Sequence, residues 1–182
     1  MSLYENFKKD IKSSLKEKMD LDNIHEVPDI VKINVSMGIG SLATNNDMKD
    51  FSGLEKQLAQ ITGQKPKMIK SKKSVSNFKL KEDMPVMLAT TLRWKRAYDF
   101  LDRLIKLVFP RVRDFEWVET RKFDGQGNLN IGFGDQTVFA EIDPDDIEVS
   151  QGVQVTIVTW SNDDDKAKTL LESLGVIFID NK

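Results

Sequence analysis

The chain has 182 residues, of which 40% are hydrophobic and 31% charged, with no cysteine and a single histidine. This composition describes a globular protein long enough to bury a core, and it excludes disulfides, thiolate chemistry and cysteine-based zinc sites together. The formal net charge of −2 hides an asymmetry: residues 64 to 113 carry fourteen Lys and Arg against four Asp and Glu, while the rest of the chain carries thirteen against twenty-five.

The first residues, MSLYENFKKDIKSSLKEK, lack the apolar core of a signal peptide. No apolar run in the chain is long enough to cross a bilayer, so a cytoplasmic location is expected. Leu3, Tyr4, Phe7, Ile11, Leu15 and Met19 recur at three- and four-residue spacing, which predicts an amphipathic helix over 2–19. Lys8, Lys9, Lys12 and Lys16 lie largely off that stripe, either as a solvated face or as contacts for RNA. His25 stands in a loop near Pro28 without the second histidine of a zinc-protease motif, and reads as a surface residue.

Residues 30–37 alternate cleanly and predict a half-buried strand. Val31, Ile33, Val35 and Met37 point to a core, and Lys32, Asn34 and Ser36 point away from it. The polar side is short, hydrogen-bonding and cationic, which suits sugar edges and phosphates. The MGIGSLA segment that follows has two readings. Gly38 and Gly40 can form a tight turn that uses positive φ. With Ala43 as a third small residue they can instead form the dinucleotide-binding turn of a nucleotide-using enzyme, which requires a helix to begin at once. The next helical pattern begins only near Asp47, which favours the plain turn. Met48, Phe51, Leu54, Leu58 and Ile61 predict a second helix over 47–62, closed by Gly63.

Residues 64–81, QKPKMIKSKKSVSNFKLK, hold seven lysines and no acid. Like charges so concentrated repel one another, and a phosphate backbone is their commonest compensation. Few large apolar residues interrupt them, so an extended, mobile loop flanked by strands is expected. A second strand is predicted over 86–93, with Val86, Leu88, Thr90 and Leu92 on one face and Met87, Ala89, Thr91 and Arg93 on the other. A third helix is predicted from Trp94 to Phe109, with Trp94, Ala97, Tyr98, Leu101, Leu104, Ile105 and Val108 inward and the pairs Asp99–Arg103 and Asp102–Lys106 outward. Trp94 and Tyr98 could stack on bases, but their place in the stripe favours packing.

The run FDGQGNLNIGFGDQ has no Lys-Ser/Thr and is therefore no Walker loop. Its backbone N–H groups could cradle a phosphate, but turns and a hairpin centred on Asp124-Gly125 read better. The acidic stretch 141–148 lacks the calcium-loop pattern and reads as solvated. Residues 153–160 predict a third strand, and Ser161 with Asp164 a capping box for a last helix carrying Ala167, Leu170, Leu171 and Leu174 inward. No metal site, cofactor motif or catalytic constellation emerges. These elements predict an α+β fold: a sheet with helices packed on one face and the other face open for RNA.

Five blocks in order carry a family resemblance: VPDIVKINVSMGIG, ITGQKPKMIKSKKSVSNFKLKEDMPV, TLRWKRAYDFLDRLI, FPRVRDF and KFDGQGNLNIGFGDQTVFAEID. They resemble ribosomal protein five of the large subunit, and the match runs from about residue 5 to the C-terminus. The resemblance implies a largely antiparallel sheet and a single domain, 1–182, with a basic loop at about 71–84. It implies no enzymatic activity. The implied partners are 5S rRNA, 23S rRNA, other large-subunit proteins of the central protuberance, transfer RNA in the peptidyl site, and a small-subunit head protein across an intersubunit bridge. By the same resemblance Lys32, Asn34, Ser36, Gln64, Lys65, Thr91 and Arg93 would bind rRNA. Lys70, Lys72, Lys73, Ser74, Lys79 and Lys81 would lie on the loop that meets transfer RNA. The chain departs from the family pattern in several places. Ser36 stands where Asn is usual, Asp83-Met84 precede Pro85 where a glycine is usual, Met87 and Ala89 replace a glycine and a lysine, and Trp94 replaces the glycine after TLR.

Overall fold

The computed structural model describes residues 2–45, 50–112, 118–147 and 149–179. The elements in chain order are helices α1 (Leu3–Asn6) and α2 (Lys12–Lys18), strand β1 (Ile30–Gly38), helices α3 (Gly40–Asn45) and α4 (Ser52–Thr62), strands β2 (Lys67–Lys70) and β3 (Pro85–Leu92), helix α5 (Lys95–Arg103), strands β4 (Val118–Glu119), β5 (Leu129–Phe133) and β6 (Val153–Thr159), helix α6 (Asp164–Ser173) and strand β7 (Phe178–Ile179). Five strands form one sheet in the order β2-β3-β1-β6-β5, and β4 pairs in parallel with β7. The chain divides into two compact units, one of Met1–Ile33, Leu92–Ile131 and Thr156–Lys182, the other of Asn34–Thr91 and Gly132–Val155. The architecture is α+β, as the periodicities predict.

In the first unit, the predicted N-terminal helix forms as α1, a π-helical segment (Phe7–Ile11) and α2. Ser2 and Glu5 close a capping box at its start. Phe7 and Leu15 are buried, while Lys8 and Lys9 are exposed. The rings of Tyr4 and Phe7 lie 5.3 and 5.2 Å from that of Tyr98 on α5, which is itself buried. The Tyr98 hydroxyl donates to the Asp29 carboxylate. Burial, and then that carboxylate, push the phenol well above its ordinary range. Past α5 the helix loosens into a second π-helical segment, Leu104–Val108, and closes in a 3-10 turn, Phe109–Arg111, that contains Pro110. Asp102 and Lys106 form the predicted ion pair at 2.6 Å.

Trp94 departs from the predicted stripe. Its side chain is 75% exposed, and Phe100 is buried in the stripe's core instead. The physical reason is backbone geometry: Trp94 precedes the first turn of α5 at φ 52°, ψ −135°, so it does not share the helical phase of the residues after it.

The Gly-rich run is a tight turn between the bridged residues Phe123 and Leu129. Gly125 and Gly127 adopt φ of 80° and 75°. Their N–H groups donate to the two oxygens of Asp164 at 3.1 and 2.7 Å, so the anion cradle is filled by the protein's own carboxylate. A side chain at Gly127 would place Cβ 2.4 Å from the Ser161 carbonyl oxygen. Asp164 is thereby committed, and the predicted Ser161/Asp164 capping box does not form. Asp163 is the N-cap of α6 and accepts from the Asp165 N–H. NLNIGF, read as part of a turn region, contains β5.

In the second unit, the outer part of β1 pairs with β3. The Ile39 N–H donates to Val86 C=O and Thr91 lies against Asn34, so residue numbers rise on one strand as they fall on the other: the pair is antiparallel. Helix α3 begins at Gly40, earlier than the pattern near Asp47 predicts. Residues 46–49, where that predicted start lies, are outside the described residues, and the second helix is described from Ser52. Gly63 follows α4 in the left-handed conformation, φ 67°, as predicted. Neither Gly38 nor Gly40 has positive φ, which corrects the tight-turn reading. The dinucleotide reading gains nothing from this: in that unit the strand after the helix lies beside the first, whereas here β3 stands between β1 and β2, the strand that follows α4. The fully buried Gln136 donates to Gln57 Oε1 (3.2 Å) and Val149 C=O (2.8 Å) and accepts from the Gln151 N–H (2.5 Å). This polar knot has no sequence pattern that announces it.

Candidate nucleic-acid interface

The second unit holds two adjoining kinds of polar surface. The first is a row of small side chains on strands. On β1, Ile33, Val35 and Met37 are buried, while Asn34 and Ser36 are half-buried on the opposite side. Val31 breaks the predicted alternation: it is 44% exposed, and Ile30 is buried in its place. On β3, Leu88, Thr90 and Leu92 face inward, and Met87, Ala89 and Thr91 are half-exposed. Val86 is half-exposed rather than inward.

The row is ordered by internal hydrogen bonds. Thr91 Oγ1 donates to Asn34 Oδ1 at 3.0 Å. With its oxygen engaged, Asn34 presents its amide N–H₂ as the donor available to a ligand. Gln64 is held just beyond the left-handed Gly63. Its Nε2 donates to Thr91 C=O at 3.4 Å, and its backbone N–H donates to Thr62 Oγ1 at 3.4 Å. Thr62 Oγ1 is in turn anchored to Leu58 C=O at 2.7 Å. Sequence reasoning named Asn34, Gln64 and Thr91; the structure links all three through Thr91. Lys65 is exposed beside them in sequence. Lys32, half-buried on β1, and Arg93, exposed after β3, belong to the first unit.

The second surface is the lysine stretch. It is a paired hairpin arm, where the sequence predicts a mobile loop. Strand β2 pairs antiparallel with β3, with Lys67 opposite Ala89 and Ile69 opposite Met87. Beyond the ladder, Ser71 N–H donates to Met84 C=O (2.8 Å) and Asp83 N–H donates to Ser71 C=O (3.0 Å). Val75 and Leu80 exchange N–H···O bonds of 2.9 and 3.1 Å around a 3-10 turn, Ser76–Phe78. Ser74 Oγ accepts from Glu82 N–H at 2.9 Å, and Ser71 Oγ donates to Lys73 C=O at 2.7 Å. Ser71 and Ser74 are therefore the pins of the arm.

Lys70, Lys72, Lys73, Ser74, Lys79 and Lys81 are all exposed, and among the described residues none of these lysines is ion-paired. Phe78 at the tip is 75% exposed. Lys79 and Asp83 take left-handed φ of 52° and 62°. The backbone before Pro85 thus does require the conformation that glycine adopts most easily, and an aspartate fills it, the side chain after asparagine best suited to do so. Trp94, another residue at a position where the resemblance implies glycine, likewise has positive φ, at a cost of about 1–3 kcal/mol for a bulky side chain, whereas Met87 does not.

A family profile described as ribosomal protein L5 matches residues 23–81, and a second profile, for the C-terminus of the same ribosomal family, matches residues 85–178. The chain belongs to the ribosomal protein L5 family. It is 44% identical over 176 residues to the large ribosomal subunit protein uL5 of Syntrophomonas wolfei, covering 97% of this chain and 98% of that protein. It is 45% identical to its namesake from Natranaerobius thermophilus, covering 97% of each chain. Against the one from Thermotoga maritima it is 43% identical, covering 97% of this chain and 95% of the relative. Membership of the L5 family agrees with the α+β fold and with the resemblance read from the five sequence blocks. No enzymatic family is indicated. No described helix is long and apolar enough to cross a membrane. Among the described residues no group of three or more metal-ligating side chains gathers.

Proposed function

We propose that the chain is a structural constituent of the large ribosomal subunit that binds 5S rRNA and attaches it, together with 23S rRNA and neighbouring proteins, in the central protuberance. The whole chain acts as one RNA-binding domain with no catalytic role, located on cytoplasmic ribosomes. The observation that carries this reading is the hydrogen-bonded row Asn34–Thr91–Gln64, half-open on its strands, in a chain of the L5 family. Small donors held rigidly suit 2′-hydroxyls and sugar edges. Lys32, Ser36, Lys65 and Arg93 supply further donors and charge for the same RNA. Ser36 keeps a donor and an acceptor but has less reach than an asparagine.

The arm has a separate task in this proposal. Its exposed lysines attract phosphate without reading sequence, and they contact transfer RNA in the peptidyl site. A small-subunit head protein is the partner across an intersubunit bridge. The test is a salt titration of 5S rRNA binding by the purified chain. With about six to ten phosphates neutralised, raising salt from about 50 to about 200 mM weakens binding by roughly a thousandfold or more. An affinity indifferent to salt contradicts the proposal, as does purification from cell extract with no 5S rRNA attached.

A further inference from the structure

Trp94 is a residue that folding alone does not justify. Its φ of 52° with ψ of −135° lies where L-residues rarely go and where a bulky side chain is a genuine outlier. Its side chain is 75% exposed, so the indole recovers little hydrophobic burial in return. A strained backbone and an exposed aromatic ring each oppose stability, and residues held in such a state cluster at ligand sites.

The surroundings define the ligand chemistry. Trp94 sits within Arg93-Trp94-Lys95-Arg96, and all four side chains are exposed. Exposed Arg93 and Lys95 flank the open indole in sequence, and such a segment attracts phosphate while the ring offers a π-face to a base, the two components of single-strand recognition. The platform is also rigid. The Trp94 C=O accepts from the N–H groups of Ala97 (3.0 Å) and Tyr98 (3.3 Å). Tyr98 is buried and donates its hydroxyl to Asp29, and the Asp29 C=O in turn accepts from the Trp160 N–H at 2.9 Å. The strained residue is therefore pinned at its own carbonyl, through α5, to the first unit's core. Its ring is presented to solvent from a fixed base, which lowers the ordering cost of a stacked complex.

We infer that Trp94 is a stacking platform for an unpaired nucleobase of the bound ribosomal RNA, with Arg93 and Lys95 holding the flanking phosphates. This rests on the RNA-binding reading above and adds a stacking contact that strengthens the affinity. A stacked base is expected to contribute a factor of about ten in affinity, within a range of roughly five- to a hundredfold.

The experiment compares the full-length wild-type chain with Trp94→Gly and Trp94→Phe, each titrated with 5S rRNA at several salt concentrations and each melted thermally. Trp94→Gly relieves the backbone and removes the ring. It is expected to melt no lower than wild type while binding about tenfold more weakly, with an unchanged salt slope because no charge is lost. Trp94→Phe keeps a π-face and is expected to bind within about threefold of wild type. Wild-type affinity in Trp94→Gly overturns the inference and leaves the RNA-binding reading standing. A lower melting temperature in Trp94→Gly assigns the indole a structural role and also overturns it. A wild-type chain that does not bind 5S rRNA overturns the parent reading, and this one falls with it.

Discussion

The strand row and the lysine arm lie in one compact unit and are built on opposite principles. Asn34, Thr91 and Gln64 are half-buried and already hydrogen-bonded to one another or to the backbone, so each has little freedom left and few groups to offer. The arm reverses this. Its backbone is stapled by Ser71, Ser74 and the Val75–Leu80 bridge, while its lysines are exposed and unpaired among the described residues. Order in the first surface resides in the side chains, and in the second in the main chain. A ligand read by shape suits the first, and a ligand held by charge suits the second.

Mutations can break this contrast. The largest effect is expected from Asn34→Ala, which removes the amide that the row presents. 5S rRNA affinity should fall about tenfold to a hundredfold in a filter-binding titration, with the melting temperature changed little. Thr91→Val keeps the shape but deletes the hydroxyl that orients Asn34, and a smaller loss of about fivefold is expected in the same assay. Neutralising Lys72 and Lys73 together should leave 5S affinity within about twofold and weaken transfer RNA contact on assembled ribosomes. If that pair proves essential for 5S binding between purified components, the two surfaces do not divide the work.

Two further substitutions serve as controls on stability. Thr90 faces the core of the second unit, and its hydroxyl is buried without a hydrogen-bond partner among the described residues. Thr90→Val should stabilise the chain by about 1 kcal/mol in denaturant titration and leave RNA affinity unchanged. Tyr98 belongs to the first unit. Its folded pKa is raised, by burial first and by Asp29 second, so its contribution is fully present below the unfolded value of 10.0 and is lost as pH climbs above it. Melting temperature should therefore decline above about pH 10 in wild type, and less steeply in Tyr98→Phe.

The legible parts of the chain were those where one local rule dominates. The alternation in KINVSM and in LATTL places Asn34, Ser36 and Thr91 on the side away from the core, because a strand's side chains have a period of two whatever the strand packs against. The end of α4 at Gly63 was legible for a similar reason: few other residues leave a helix so easily through the left-handed region. Where two local rules competed, reading the sequence failed. Ser161 and Asp164 have capping-box spacing, but Asp164 binds the Gly125 and Gly127 amides, and Asp163 caps the helix instead. Trp94 fits the apolar stripe by count and leaves it by dihedral angle.

Sequence alone was enough to determine the α+β class, the faces of the central strands, the location of the positive charge and the family. Each of these depends on the order and spacing of residues close together in the chain. Tertiary structure decided that the lysines ride on a pinned hairpin, that Thr91 joins Asn34 to Gln64, that an aspartate fills the glycine turn, and that one tryptophan is held open to solvent under strain. Those outcomes depend on hydrogen bonds between residues far apart in sequence and on backbone angles imposed by neighbouring elements, and no local pattern encodes either.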